Sequence, residues 1–95
     1  MISELDYVAI FHSIHRVLRA EQLLKRAGVA FLLVPVPRRL TADCGLALRI
    51  APAQLAAVSA VLAAADLLPA ELYQMRAGEF VAVAAAATGA PAGTA

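Results

Sequence analysis

The order of short apolar runs and helix-length stripes is what most constrains the fold of this chain. Residues 7–11, YVAIF, form a β-branched and aromatic run that is too short for a helix and predicts a strand buried on both faces. Residues 14–27 then carry apolar side chains at helical spacing. Ser13 can cap the start of this helix, and Gly28 can end it. The chain therefore begins with one strand followed by one helix.

Two further strands are predicted before a second helix. Residues 29–34, VAFLLV, form another apolar run, and the alternating prolines that follow it stop the pairing of this strand. Residues 45–50, GLALRI, place large aliphatic side chains on one face and Ala47 and Arg49 on the other. These two segments are the predicted second and third strands.

The last part of the chain repeats the order of helix and strand. Pro52 suits the first turn of a helix because its missing N–H group would have no partner there, and the helix should end before Pro69. Residues 71–75 and 80–83 predict a fourth strand and a short fifth strand in a terminal hairpin, with Gly78 in the turn.

This order of elements predicts an α+β fold of the ferredoxin-like βαββαβ type. In that fold two helices pack on one face of an antiparallel sheet, and the fifth strand would be a short C-terminal addition. A chain of 95 residues has room for one hydrophobic core. We therefore expect a single domain at residues 1–83 and a disordered tail, rich in alanine and glycine, at residues 84–95.

Composition and charge argue against several classes of protein. The net charge of +1 is too small to indicate a nucleic-acid or membrane-surface partner, although seven of the eight Lys and Arg residues lie between Arg16 and Arg49. The first residues do not resemble a signal peptide, and the apolar stretches are too short to span a membrane. One cysteine cannot form an intrachain disulfide. We therefore expect a soluble, cytoplasmic protein.

The predicted topology brings the only cysteine, Cys44, to one edge of the sheet. With right-handed crossovers, the first and third strands are antiparallel neighbours, so that the end of the first meets the start of the third. His12 follows the first strand and Cys44 precedes the third. We therefore expect their side chains to lie close together, with His12 as a candidate for proton transfer or for pairing with the thiolate.

Several residues around Cys44 are candidates for binding an anion or a partner protein. The N-terminus of the first helix carries unpaired N–H groups and about half a positive charge, and basic side chains lie nearby. Such surroundings favour the thiolate over the thiol, whose ordinary pKa is about 8.5. The candidate residues are Ser13, His15, Arg16, Arg38, Arg39, Gly45 and Arg49.

Simpler interpretations compete with each of these assignments. A single free cysteine is usually a small buried apolar residue, and Asp43 would disfavour a thiolate if it pointed inward. His15 is equally consistent with an exposed helix residue, and the arginines with a solvated rim. Two histidines and one cysteine do not match a zinc-binding spacing, so no metal is expected. The residues alone leave a reactive and a merely packed Cys44 equally open.

Three stretches of the chain carry a resemblance to a known family. They are residues 7–28, YVAIFHSIHRVLRAEQLLKRAG, residues 32–50, LLVPVPRRLTADCGLALRI, and residues 72–83, LYQMRAGEFVAV. The most specific part is an aliphatic-Pro-x-Pro-Arg strand exit that leads into Cys-Gly and a strand ending in arginine. Its residues here are Pro35, Pro37, Arg38, Cys44, Gly45 and Arg49. In these features the chain resembles the small bacterial proteins described as selenium/sulfur carrier-like.

The resemblance implies a cytoplasmic carrier in which Cys44 holds sulfur or selenium as a persulfide or selenopersulfide. The implied partners are a donor such as a cysteine desulfurase or a selenocysteine lyase-like enzyme, and an acceptor protein. No other cofactor is implied. The chain also lacks the phosphate loop and nucleophile elbow of common enzymes, which favours a non-enzymatic carrier over an enzyme with a full reaction cycle.

An alternative is a regulatory or scaffolding module that binds a partner or a small ligand through its open sheet face. Strands that are apolar on both faces favour pairing through that face, because a half-exposed sheet normally alternates with polar residues. The sequence therefore also predicts a homodimer.

Overall fold

Five strands and two α-helices follow one another in the part of the chain that the computed structural model describes, residues 2–40 and 45–83. A single 3₁₀ turn leads into the second helix. In chain order the elements are β1 (Tyr7–Ile10), α1 (Ile14–Ala27), β2 (Leu32–Pro35), β3 (Leu46–Ile50), the 3₁₀ turn (Pro52–Gln54), α2 (Leu55–Ala64), β4 (Glu71–Arg76) and β5 (Glu79–Ala82). The predicted α+β class is confirmed. The predicted tail at residues 84–95 lies outside the described residues.

The strands form one antiparallel sheet in the order β2-β3-β1-β4-β5. Ile10 at the end of β1 pairs with Ala47 of β3 on one side and with Glu71 of β4 on the other. The end of β1 therefore lies beside the starts of both β3 and β4. We call this the upper end of the sheet, and the end near Tyr7 and the β4–β5 turn the lower end.

Local signals in the sequence fix the limits of α1. The Ser13 side chain accepts a hydrogen bond from the backbone N–H of Arg16, and Gly28 ends the helix in the left-handed conformation with φ of 74°. The N–H group of Val29 still donates to the carbonyl of Leu24. Residues 29–31 thus belong to the exit of the helix, which is why β2 begins three residues later than predicted. Pro35 is tolerated in β2 because this strand lies at the edge of the sheet.

Both helices pack on one face of the sheet. α1 contributes a buried stripe that meets the buried residues of α2 and the helix-side residues of the central strands. The buried members of this core are Ala9, Phe11, Val17, Ala20, Leu24, Leu48, Ile50, Val58, Leu62, Leu67 and Leu72. Burial of this cluster is the main favourable contribution to folding.

The opposite face of the sheet is apolar as well, and segments of the same chain cover it. Val8, Ile10 and Ala47 have no exposed surface. The residues packed against them include Ile2, Val36, Leu40, Tyr73 and Phe80. The segments before β1 and after β2 therefore cover this second face. Because of this cover, strands that are apolar on both faces are buried within one chain. The predicted homodimer stays a prediction.

A buried ion pair holds the segment before β1 in place. The Asp6 carboxylate accepts hydrogen bonds from Arg49 Nε at 2.7 Å and from the backbone N–H of Ser3 at 2.9 Å. Burial raises the pKa of Asp6, but the hydrogen bonds and the charge of Arg49 together bring that pKa below its ordinary value of 3.8. The pair thus joins β3 to the residues that precede β1.

Truncation of leucine to alanine should destabilise the protein more at a buried position of α1 than at an exposed one. Replacing Leu24, which is 0% exposed, by alanine should lower the free energy of unfolding by about 2–5 kcal/mol because a cavity forms. Leu18 in the same helix is 38% exposed, and Leu18→Ala should cost less than about 1 kcal/mol. Urea unfolding of both variants measures the difference. Equal losses would contradict the packing of α1 on the sheet.

The Asp6–Arg49 pair should make stability depend on pH in acid. Because the folded-state pKa of Asp6 is depressed, its contribution is present above pH 3.8 and is lost as the pH falls through the folded-state pKa. Asp6→Asn should have a lower free energy of unfolding than the wild type at pH 7, and this difference should become smaller below about pH 4. Arg49→Ala, which leaves a buried carboxylate without its partner, should cost about 1–3 kcal/mol at pH 7.

Urea unfolding of both variants over a pH series checks this prediction. Asp66→Asn is a matched control because Asp66 is exposed. A difference in the free energy of unfolding between wild type and Asp6→Asn that does not change with pH would contradict the prediction.

Candidate functional site

The upper end of the sheet gathers several of the residues that the sequence singles out. His12 and Ser13 follow β1, and Ser13 caps α1, so that the helix N-terminus lies at this end. Gly45 directly precedes β3, and its carbonyl accepts a hydrogen bond from the N–H group of Val36 at 3.1 Å. The predicted meeting of the end of the first strand with the start of the third is confirmed by the pairing of β1 with β3.

Gly45 occupies a backbone conformation that favours glycine. Its φ is 75°, in the left-handed region where a side chain is strained. A Cβ atom at this position would nevertheless meet no atom of residues 2–40 and 47–83 within 4 Å, so that part of the chain does not crowd it. The glycine is therefore needed here for its conformation and not for close packing.

Cys44 precedes Gly45 in sequence and lies outside the described residues, as do residues 41–43. The structure therefore describes one side of the predicted site, formed by His12, Ser13 and Gly45. The expected closeness of His12 to Cys44 stays a prediction.

A cluster of polar side chains lies at the same end of the sheet. His12 Nε2 lies 2.9 Å from Glu71 Oε2, and the Tyr73 hydroxyl donates to Glu71 Oε1 over 2.6 Å. The backbone N–H of Ala70 donates to the carbonyl of Ile10, which holds the entry of β4 against the exit of β1. The side chains of His12 and Glu71 are 40% and 41% exposed. We call these three residues the His12–Glu71–Tyr73 cluster.

In this cluster the Glu71 carboxylate lies between two hydrogen-bond donors, His12 and Tyr73. The hydrogen bond from Tyr73, and after it the hydrogen bond from His12, lowers the pKa of Glu71 below its ordinary value of 4.5. The same bond to Glu71, together with partial burial, raises the pKa of Tyr73 above 10.0. An ionised carboxylate only accepts hydrogen bonds, so His12 donates from Nε2. In the neutral imidazole, Nδ1 then remains as an acceptor for a proton.

Glu71 and Tyr73 were not among the residues predicted for the site from the sequence. They are two residues apart in β4, so their side chains share one face of the sheet. The start of β4 lies beside the end of β1 in the same way as the start of β3 does. The sequence signal for Glu71 is therefore a polar residue at the start of the predicted fourth strand.

The basic candidates of the first turn of α1 lie close to this end. His15 and Arg16 are exposed, and Arg16 Nη2 donates to the backbone carbonyl of Asp66 at 3.0 Å. Arg16 thus ties the start of α1 to the segment that follows α2. Arg38, in the turn after β2, is also exposed.

Two other arginines that the sequence predicted for the site form hydrogen bonds at the lower end of the sheet. Arg39 Nη1 donates to the carbonyl of Gly78, in the β4–β5 turn at the lower end of the sheet. Arg49 bonds to Asp6, which precedes β1 at that same end. The structure therefore does not bring the guanidinium groups of Arg39 and Arg49 to the upper end.

Residues 2–40 and 45–83 contain neither a metal-binding cluster nor a membrane-crossing helix. Across these ranges, the structure contains no group of three or more His, Cys, Asp or Glu side chains that could hold a metal ion. Neither helix in the same ranges combines the length and the apolar character needed to cross a membrane.

The contact between Tyr73 and Glu71 should be visible in the titration of the carboxylate. Because this hydrogen bond is the largest cause of the depressed pKa, Tyr73→Phe should raise the pKa of Glu71 toward 4.5. His12→Gln should raise it as well, because the hydrogen bond from the imidazole is lost. NMR of the side-chain carboxyl carbon across the acid range measures the midpoint. Tyr7→Phe is the matched control, because Tyr7 packs with the helix-side core. A midpoint that Tyr73→Phe leaves unchanged would contradict the cluster.

Comparison with known proteins identifies a family for this chain. The model of the family described as "Putative Se/S carrier protein-like" matches residues 6–74. Neither the curated proteins nor the solved structures that were compared with the chain gave a match. The matched range contains both helices, the first three strands and the Cys44–Gly45 pair. The chain therefore belongs to the Se/S carrier protein-like family.

Proposed function

We propose that this protein carries sulfur or selenium on Cys44, as a persulfide or selenopersulfide, from a donor protein to an acceptor protein. Membership of the Se/S carrier protein-like family supports this proposal. The observation that carries it further is the pairing of Ile10 with Ala47, which brings the exit of β1 and the start of α1 beside the entry of β3. In the sequence, Cys44 lies two residues before β3.

The surroundings of Gly45 suit a carrier residue at position 44. Cys44 directly precedes Gly45 in the sequence. Gly45 is exposed, and no atom of residues 2–40 and 47–83 would lie within 4 Å of a Cβ atom at this position. A carrier thiol has to be reached by two different proteins, and an exposed strand entry allows this.

The groups at the upper end favour the anionic form of sulfur or selenium. The N-terminus of α1 contributes a partial positive charge, and His12 contributes an imidazole whose Nδ1 can accept a proton. The role of Glu71 and Tyr73 is then to hold the His12 ring in one orientation. Arg16 adds positive charge in the first turn of the helix, and His15 adds a second imidazole there.

In the proposed transfer, the Cys44 thiolate attacks the terminal sulfur of a persulfide on the donor. A new S–S bond forms on Cys44 while the S–S bond of the donor breaks, and the donor cysteine leaves as a thiolate. A selenium atom in the terminal position would be transferred in the same way. The acceptor removes the terminal atom by the reverse exchange. Because no net oxidation occurs, the carrier needs no cofactor of its own.

The strand order supports a finer description of the fold. The order β2-β3-β1-β4, with two helices on one face, suits two interleaved strand-helix-strand units of the ferredoxin-like type, and β5 extends the β4 edge. We propose the cytoplasm as the compartment, because a carrier thiol has to remain reduced between transfers. The sheet-face alternative finds less support, since Val8, Ile10 and Ala47 are buried by the chain itself.

Mass analysis of the loaded protein tests the proposal. After incubation with a cysteine desulfurase and cysteine, the wild type should gain the mass of one sulfur atom on Cys44. With a selenocysteine lyase and selenocysteine, it should gain the mass of one selenium atom. Cys44→Ser should gain neither mass and should keep the circular dichroism spectrum of the wild type. His12→Gln should load more slowly, because the imidazole no longer supports the thiolate.

The Tyr7→Phe variant provides the control for loading. Tyr7→Phe removes a hydroxyl group on the helix side of the sheet and should load like the wild type. A Cys44 thiol that reacts with iodoacetamide but takes up neither sulfur nor selenium would contradict the carrier function.

A further inference from the structure

The outer face of α1 combines basic and apolar side chains. His15, Arg19 and Arg26 lie on the side of the helix that points away from the buried stripe, at spacings that align them along the helix axis. Ile14 and Leu18 lie beside them and are 37% and 38% exposed. We call the exposed residues Ile14, His15, Leu18, Arg19, Gln22 and Arg26 the α1 outer face.

The positive charge of this face is not neutralised within the described part of the chain. Glu21, the acidic residue of α1, pairs with Lys25 at 3.3 Å and so compensates that lysine. No ion pair within residues 2–40 and 45–83 involves Arg19 or Arg26. The second helix, α2, carries no charged side chain. The charge is therefore concentrated on one helix face and not spread over both helices.

The composition of this face fits a protein surface better than a nucleic acid. Protein interfaces typically place apolar side chains beside arginine and polar groups. Single-stranded nucleic acids are bound by basic grooves with aromatic side chains, and the α1 outer face contains none. Ile14 and Leu18 would gain little from contact with phosphates. The matching partner surface is acidic with an apolar centre.

The position of the face links it to the proposed carrier site. Ile14 and His15 directly follow the cap residue Ser13 at the upper end of the sheet. A protein seated along α1 would reach the upper end of the sheet, where Gly45 directly precedes β3. Resting on the proposed function, we infer that the persulfide donor enzyme docks on the α1 outer face through an acidic surface.

Reversing single charges tests this docking surface. Arg19→Glu and Arg26→Glu should each slow sulfur transfer from a persulfidated bacterial cysteine desulfurase by about tenfold at low salt. Arg76→Glu changes the net charge by the same amount at the lower end of the sheet and should change the rate less than about twofold. In about 1 M NaCl, where the Debye length is about 3 Å, the differences should disappear. Ile14→Ala with Leu18→Ala should weaken transfer at both salt concentrations.

Loading by inorganic polysulfide separates this inference from the proposed function. Polysulfide needs no docking surface, so the wild type and all four variants should take up sulfur on Cys44 at equal rates. No loading of the wild type from either source would contradict the proposed function itself.

Two outcomes would overturn the inference while the carrier function stands. One is loading in which Arg19→Glu and Arg26→Glu behave like Arg76→Glu toward the desulfurase. The other is polysulfide loading without any transfer from the desulfurase. In the first case, binding of a labelled single-stranded RNA distinguishes the remaining explanation. If Arg19→Glu and Arg26→Glu abolish salt-dependent RNA binding and leave sulfur transfer from the desulfurase unchanged, the α1 outer face binds nucleic acid instead.

Discussion

The double pairing of β1 is the constraint on which the rest of this structure depends. β1 is hydrogen-bonded to β3 on one side and to β4 on the other, and its residues Val8, Ala9 and Ile10 are fully buried. The two faces of β1 differ in side-chain size, since Ala9 packs toward the helices whereas Val8 and Ile10 pack on the opposite face. A shift by one residue would put the larger side chains where Ala9 fits, so the packing of both faces fixes the register. That register brings the entries of β3 and β4 to the exit of β1. The candidate site is a consequence of this packing.

The two ends of the sheet use polar groups for different purposes. At the lower end, Asp6 and Arg49 form a largely buried pair that holds the segment before β1, and breaking it would leave a buried charge without a partner. At the upper end, His12 and Glu71 are about two-fifths exposed and remain accessible to solvent. Buried pairing stabilises the fold, whereas exposed pairing orients a ring without removing it from reach. The chemistry that we propose therefore lies at the end where the polar groups are exposed.

The sequence predicted one half of the candidate site and missed the other. His12, Ser13 and Gly45 follow from their places next to predicted strands and a predicted helix, and the structure puts them at one end of the sheet. Glu71 and Tyr73 did not stand out, because each is an ordinary residue of an amphipathic strand until its neighbour is known. Arg49 is not at the upper end because it is the fourth of the five residues of β3 and pairs with Val8, toward the lower end. The long Arg39 side chain reaches the carbonyl of Gly78 at that end.

The sequence by itself determined the type and order of the elements and the ends of α1. Ser13, Gly28, Pro52 and Gly78 act through backbone geometry within a few residues, so their effects can be read locally. Only the tertiary structure decided which polar groups meet and what covers the second face of the sheet. The contacts of His12 with Glu71 and of Arg49 with Asp6 join residues 59 and 43 positions apart. Their existence depends on strand register and loop path, which are set by the packing of the whole core.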